Sequence, residues 1–267
     1  AKIVSPDTTG SRRHYRLAIS SPSPGAVNVS LMDPDGARLW QQEFNFGEGL
    51  STEADIARQV GYETEIQLIR AEARAAARGD VDVSALLLAA RAEQNRGQTG
   101  KEDARSLKLY ERALQLDSES AIAMAGLAGQ LVARQLRTLI HDPEADRRAE
   151  LLLRRAISID PSLSLAHFFM GLLHKSRGHA NQAILSFNRA LELNPSFAPA
   201  YANLGHSLML LGRSQEGLDN IHHAMRISPN DAYYATWAMF AGEIEFERGN
   251  IPSALGWFEL ALTRAPS

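Results

Sequence analysis

Eight histidines and no cysteine limit the chemistry open to this 267-residue chain. Without cysteine there is no disulfide framework, no Cys-ligated zinc and no thiol nucleophile. His167 and His174 stand seven apart and would share one side of a helix, as two ligands of a metal site must. No further ligand is suitably spaced, so packing or groove lining is the better reading of both. His222 and His223 are adjacent and therefore point apart on a helix, which reads as a surface pair. Gly47–Gly49 ("GEG") lacks the following Lys and the glycine spacing of a phosphate loop. Asp33 and Asp35 fall in "DPDG", where turn formation accounts for both. "NVS" at Asn28 matches a glycosylation acceptor but lies in an alternating, strand-like run. The expectation is a non-catalytic chain with no catalytic residue, no metal and no cofactor.

The elements that carry these residues are periodic. Pro161, Pro195 and Pro229 are 34 residues apart, and Pro266 follows after 37. Gly171, Gly205 and Gly242 keep the same two spacings. Twelve residues after each glycine stands a small residue (Ala183, Gly217, Ala254), then Phe187, Ile221 or Phe258, then Ala190, Ala224 or Ala261. Self-similarity at this period marks a helical repeat array. Each unit reads as helix, tight turn, helix. The glycine lets the second helix cross closely, and the Ala and the larger residue fill the contact, since positions three and four apart share a helix side. Pro stops the second helix. One unit cannot bury its apolar face alone, so units stack.

This pattern resembles the tetratricopeptide repeat (TPR). The resemblance is closest over Ser164–Phe197 and Ala198–Asp231 and holds for the unit ending at Pro266, after about three extra residues near Asp231–Tyr233. Two earlier units are looser: "LYERALQLDS" with Tyr110, Ala113 and Ser118, and "LLLRRAISIDP" with Ala149, Leu153, Ala156 and Pro161. The resemblance implies a mainly α fold, a right-handed superhelix of four to five helix-turn-helix repeats over residues 81–267. It also implies a protein or peptide ligand in a concave groove lined by the first helix of each repeat. The groove residues expected there are Phe168, Leu172, Asn203, His206, Met209, Met239, Glu243 and Phe246, an apolar and Met-rich mixture. Some TPR proteins hold a carboxylate with several Lys, Arg and Asn in this groove. At Phe168, Phe169, Leu172, Ala202, Asn203, His206, Met239, Phe240 and Glu243, only Asn203 fits, which disfavours carboxylate capture.

Residues 1–80 are a different object. His14–Ser20, Val27–Asp33 and Ala37–Phe44 alternate as three strands, and a helix is expected from about Thr52 to Arg78 with Ile56, Val60, Ile66 and Ile69 on its apolar stripe. A three-stranded antiparallel sheet with one helix is the simplest α/β reading. Leu31–Asp33, Asp35–Gly36, Leu39–Trp40 and the following helix resemble the end of a TolB amino-terminal-like domain. That family's opening strand and helix are missing here, which leaves an exposed sheet edge. Trp40, Phe44 and Phe46 then need cover. It is expected either from the first repeat helices near Leu86–Ala90 or from a second copy, a homo-oligomer through the sheet edge. Such a domain ahead of TPRs is similar to the C-terminal regulatory region of bacterial class III adenylate/guanylate cyclases. It is similar also to the sensory region of membrane-tethered transcriptional regulators. Both resemblances imply an interaction and regulatory role in signalling, with the output domain upstream. A stand-alone TPR scaffold or assembly factor is the further alternative.

Composition agrees with this reading. Hydrophobic residues make up 45% of the chain, enough for a large core. The net charge is -3 with both signs mixed, and no basic cluster supports a nucleic-acid partner. No apolar run spans a bilayer and no signal peptide is seen, so the cytoplasmic and periplasmic sides of a bacterial inner membrane both stay open. The chain opens on Ala1 and closes one residue past Pro266, which reads as a piece of something longer.

Overall fold

The structure is a computed structural model that describes residues 2–4, 14–23, 26–33, 35–45, 57, 59–60, 63–64, 67, 83–96, 100–138 and 142–265. Three of its strands are those expected: β2 (His14–Ser23), β3 (Ala26–Met32) and β4 (Arg38–Asn45). A fourth, β1 (Lys2–Val4), pairs antiparallel with β2 and occupies the edge that the sequence reading leaves bare. The sheet runs in the order β1-β2-β3-β4. The β3–β4 turn is the one that "DPDG" encodes. Asp33 accepts the Ala37 N–H on its carboxylate at 2.8 Å, its carbonyl accepts from Gly36, and Gly36 adopts φ 89°. Cross-strand neighbours Val27 and Phe44, and Leu31 and Trp40, share a face with Leu17 and Val29, and Val60 packs against it. The described residues between 57 and 67 are helical; Phe46, Ile56, Ile66 and Ile69 lie outside the described residues. Leu86 and Ala90, expected as cover for the sheet, pack among the helices instead. Leu86 packs with Ala113 and Ala123, and Ala90 with Tyr110 and Leu127.

The described residues from 83 onward are mainly helical. In chain order the helices are α1 (Val83–Arg96), α2 (Gly100–Leu116), α3 (Ala121–Thr138), α4 (Pro143–Ile159) and α5 (Ser164–Ser176). They continue as α6 (Ala180–Leu193), α7 (Ala198–Met209), α8 (Ser214–Ile227), α9 (Tyr234–Glu247) and α10 (Ile251–Arg264). Among the described residues they pack as five hairpins, α1–α2 to α9–α10, and the first helices of successive hairpins lie side by side.

Local chemistry sets the boundaries. Asp160, Asn194 and Ser228 are forced toward extended backbone by the proline that follows, and α4, α6 and α8 end there. Inside each of the last three hairpins the turn closes on a left-handed glycine: Gly178 (φ 75°), Gly212 (φ 74°) and Gly249 (φ 77°). The residue after each donates its N–H five positions back, His179 to His174, Arg213 to Leu208 and Asn250 to Glu245, at 2.9–3.0 Å. This is the Schellman closure, which needs φ > 0. The three extra residues before α9 form a turn around Asp231, whose carboxylate accepts the Tyr233 N–H at 2.8 Å.

The fixed spacing of glycine and large residue proves to be the helix crossing. Gly171 lies on the Phe187 ring, Gly242 on the Phe258 ring, and Gly205 on Ile221 and the Gly217 carbonyl. The large residues reach full burial at Phe187 and Ile221. Between hairpins, Arg177 joins α5 to α4 through Asp146 at 2.6 Å and Glu150 at 2.8 Å.

Candidate functional site

Three successive first helices, α5, α7 and α9, contribute to one polar cluster. Lys175 Nζ donates to Asn203 Oδ1 at 3.0 Å, and Asn203 Nδ2 donates to the Pro199 carbonyl at 2.9 Å. The same ammonium sits 4.3 Å from the centre of the Phe240 ring, a cation–π distance. The His206 ring lies 4.2 Å from that ring as well. His206 Nε2 is 3.0 Å from Glu243 Oε2; a carboxylate only accepts, so the Nε2–H is the donor. His206 Nδ1 is buried with no hydrogen-bond partner among the described residues.

The electrostatics follow from enclosure. Burial pulls Lys175 down to about 7 against the opposing pull of Glu243. Burial also lowers His206, and the Glu243 hydrogen bond offsets only part of this. The Glu243 side chain stays 40% exposed, the most open member of the cluster's ion pair. The cluster is therefore a site of hydrogen-bonding and aromatic contact with an accessible carboxylate at its lip.

Replacing Lys175 with Met should raise stability by about 1–3 kcal/mol near pH 6.5, because the cost of enclosing the ammonium, which its Asn203, Phe240 and Glu243 neighbours only partly offset, is removed with an apolar group of similar size. In the wild type the unfolded chain holds the Lys175 proton up to about 10.5, whereas the folded chain releases it near 7. Stability therefore climbs with pH across that window, and Lys175→Met should flatten the climb. Melting temperatures of both proteins at pH 6.5 and 9.5 check this; parallel shifts would contradict it.

Of the eight expected groove residues, the structure brings together Asn203, His206 and Glu243. Phe168, Leu172 and Met209 are corrections. Each is under 9% exposed and packed in the core. Phe168 lies among Phe169, Phe187 and Phe197, with ring centres 5.3, 5.8 and 4.8 Å away. A first helix touches the next hairpin along one side and the groove along another, only about a third of a turn apart. Met239 and Phe246 are exposed at 41% and 60%, on the last hairpin. Lys175 is not among the expected residues, although it occupies the repeat phase of Met209 and Phe246. A basic residue at that phase, one turn past Gly171, is the available signal.

The histidines with metal-like spacing do other work. His167 Nε2 lies 3.0 Å from the Pro161 carbonyl, and His174 faces His179. His222 packs on Trp257 and His223 on Tyr201, so this pair is half-buried on two aromatic neighbours and is not a surface pair. Among the described residues no group of three or more His, Asp or Glu is placed to hold a metal ion, and no helix is long and apolar enough to cross a membrane.

Comparison with known proteins bears on the helical part. A family model for the TPR repeat matches residues 171–212. No curated protein matches the chain. Among solved structures, a thermophilic TPR protein of Thermus thermophilus, TTC0263, aligns at 19% identity over 62% of this chain and 85% of its own, with TM-score 0.51. The pilF protein of Pseudomonas aeruginosa aligns at 15% identity over 69% and 77%, also with TM-score 0.51. The helices α1–α10 fold as a TPR array, beside a small antiparallel sheet.

Proposed function

We propose that this chain is a non-catalytic interaction and regulatory region of a bacterial signalling protein, with an adenylate cyclase as the output it serves. Its array binds a protein or peptide segment along the first-helix groove. The observation that carries the reading is the Lys175–Asn203–His206–Phe240–Glu243 cluster. It is assembled from three hairpins, holds buried polar groups at a cost to stability, and keeps one carboxylate open. The signalling assignment is supported by the order of the parts, a sheet with a "DPDG" turn ahead of the repeats.

A peptide library displayed on phage and selected against the purified chain tests this. Peptides so selected should lose at least tenfold in affinity for a His206→Ala/Glu243→Ala variant, roughly the 1.4 kcal/mol that a modest anchor supplies. Its melting temperature should stay within a few degrees of wild type. Selected peptides that bind both proteins equally would place recognition elsewhere.

A further inference from the structure

We propose that β4 is the interface of a homodimer, in which the β4 edges of two copies pair antiparallel about a two-fold axis at Gln41. The sheet ends in β1 on one side and β4 on the other. β1 is three residues long, too short to serve as a template for a partner strand. It also fills, within the chain, the edge from which a homo-oligomer is expected on sequence grounds. β4 is eight residues long and contains no proline. Among the described residues its strand neighbour is β3, so its outer side presents a row of N–H and C=O groups of the kind that recruits a further strand.

The register of β4 on β3 identifies the second strand. Met32, Ser30 and Asn28 are alternate residues of β3, and they face Arg38, Gln41 and Glu43. Alternate residues share a sheet face, so these three β4 side chains form one row, on the face away from Val29 and Leu31. The register slips by one residue between Trp40 and Arg38, which makes Leu39 the extra residue of a β-bulge. Without it Arg38 would fall on the other face. With it Arg38 and Glu43 lie one ladder step to either side of Gln41. A two-fold axis through Gln41 therefore sets Arg38 of each copy opposite Glu43 of the other. Both side chains are exposed, and Arg38 Nη1 donates to Gln41 Oε1, which keeps the guanidinium in the row. Opposite charges across antiparallel strands stabilise the pair and like charges oppose it. An edge with charges of one sign would repel its own copy. This edge is complementary to itself, as an interface that places the same patch on both subunits must be.

Sedimentation equilibrium of the full 267-residue chain should show a reversible monomer–dimer system. Arg38→Glu and Glu43→Arg should each weaken the dimer by about tenfold or more, because each replaces two opposite-charge pairs with two like-charge pairs. The Arg38→Glu/Glu43→Arg double variant restores both pairs with their signs exchanged and should dimerise like wild type. Since both positions are exposed, all three variants should keep the wild-type circular dichroism. A second measurement does not depend on charge. The chain has no cysteine, so Gln41→Cys places a single thiol on the axis. It should form an interchain disulfide under mild oxidation, because directly opposed antiparallel residues have Cα atoms about 5 Å apart. Glu43→Cys should not, since its two copies would stand about 13 Å apart along the strands. A wild-type chain that is monomeric at every concentration overturns the proposal. So does a dimer that both single reversals leave intact, a double variant as weak as the single ones, or a Glu43→Cys chain that cross-links as readily as Gln41→Cys.

Discussion

A Gly205→Leu chain should be less stable than wild type by about 3 kcal/mol or more, the upper range for overpacking. Even a single Cβ at Gly205 would press on the Gly217 carbonyl oxygen and on Ile221. Gly217 presses back on the Gly205 carbonyl, so α7 and α8 touch backbone to backbone. At Gly171 and Gly242 the obstacle is an aromatic ring, which can shift; at Gly205 it is main chain, which cannot move without parting the helices. Leucine adds three more carbons to that collision. Gly256 in α10 is the control, with nothing within 4 Å of a Cβ built on it. Gly256→Ala should stabilise by about 0.5–1 kcal/mol through helix propensity alone. Urea unfolding of the three proteins decides it; a Gly205→Leu midpoint equal to wild type would mean the crossing is elsewhere.

The second large effect is expected at Phe168. Truncation to Ala should cost about 3–5 kcal/mol, as for other buried aromatics. The ring is 7% exposed and touches three other phenylalanines from α5, α6 and the turn before α7. Its removal opens a cavity where two hairpins meet, so circular dichroism should show helix lost and the melting temperature lowered. A groove residue would instead weaken ligand binding and leave folding alone. If Phe168→Ala melts like wild type yet fails to bind a selected peptide, then Phe168 belongs to the groove after all.

That contrast shows what the residues disclose before any coordinates. The hairpins were legible because proline, glycine and alanine recur at fixed phase, and each of these types is constrained by backbone or by close approach. The fourth strand was not legible: Lys2–Val4 is too short to show alternation. The groove was legible only in part. Phe168, Asn203 and Leu172 lie within about one turn of one another's repeat phase, and apolar type alone does not tell the side facing the next hairpin from the side facing a ligand. Polar type did tell, which is why Asn203, His206 and Glu243 converge while Phe168, Leu172 and Met209 do not. Gly178, Gly212 and Gly249 carry the same 34 and 37 spacing as the crossing glycines, yet their role needs the sign of φ, which no residue spacing reveals.

The glycine-locked turns also determine where the array can flex. Each of the last three hairpins is fastened at its tip by a five-back hydrogen bond and a left-handed residue, so it moves as one plank. The joints after Pro161, Pro195 and Pro229 carry no such closure, and the three added residues sit in the last of these. Lys175 and His206 stand on planks before that joint; Phe240 and Glu243 stand on the plank beyond it. The cation–ring contact and the imidazole–carboxylate bond therefore tie the last hairpin to the two before it. A ligand that parts Glu243 from His206 would therefore break a contact between the last hairpin and the one before it, and one that bridges them would reinforce it.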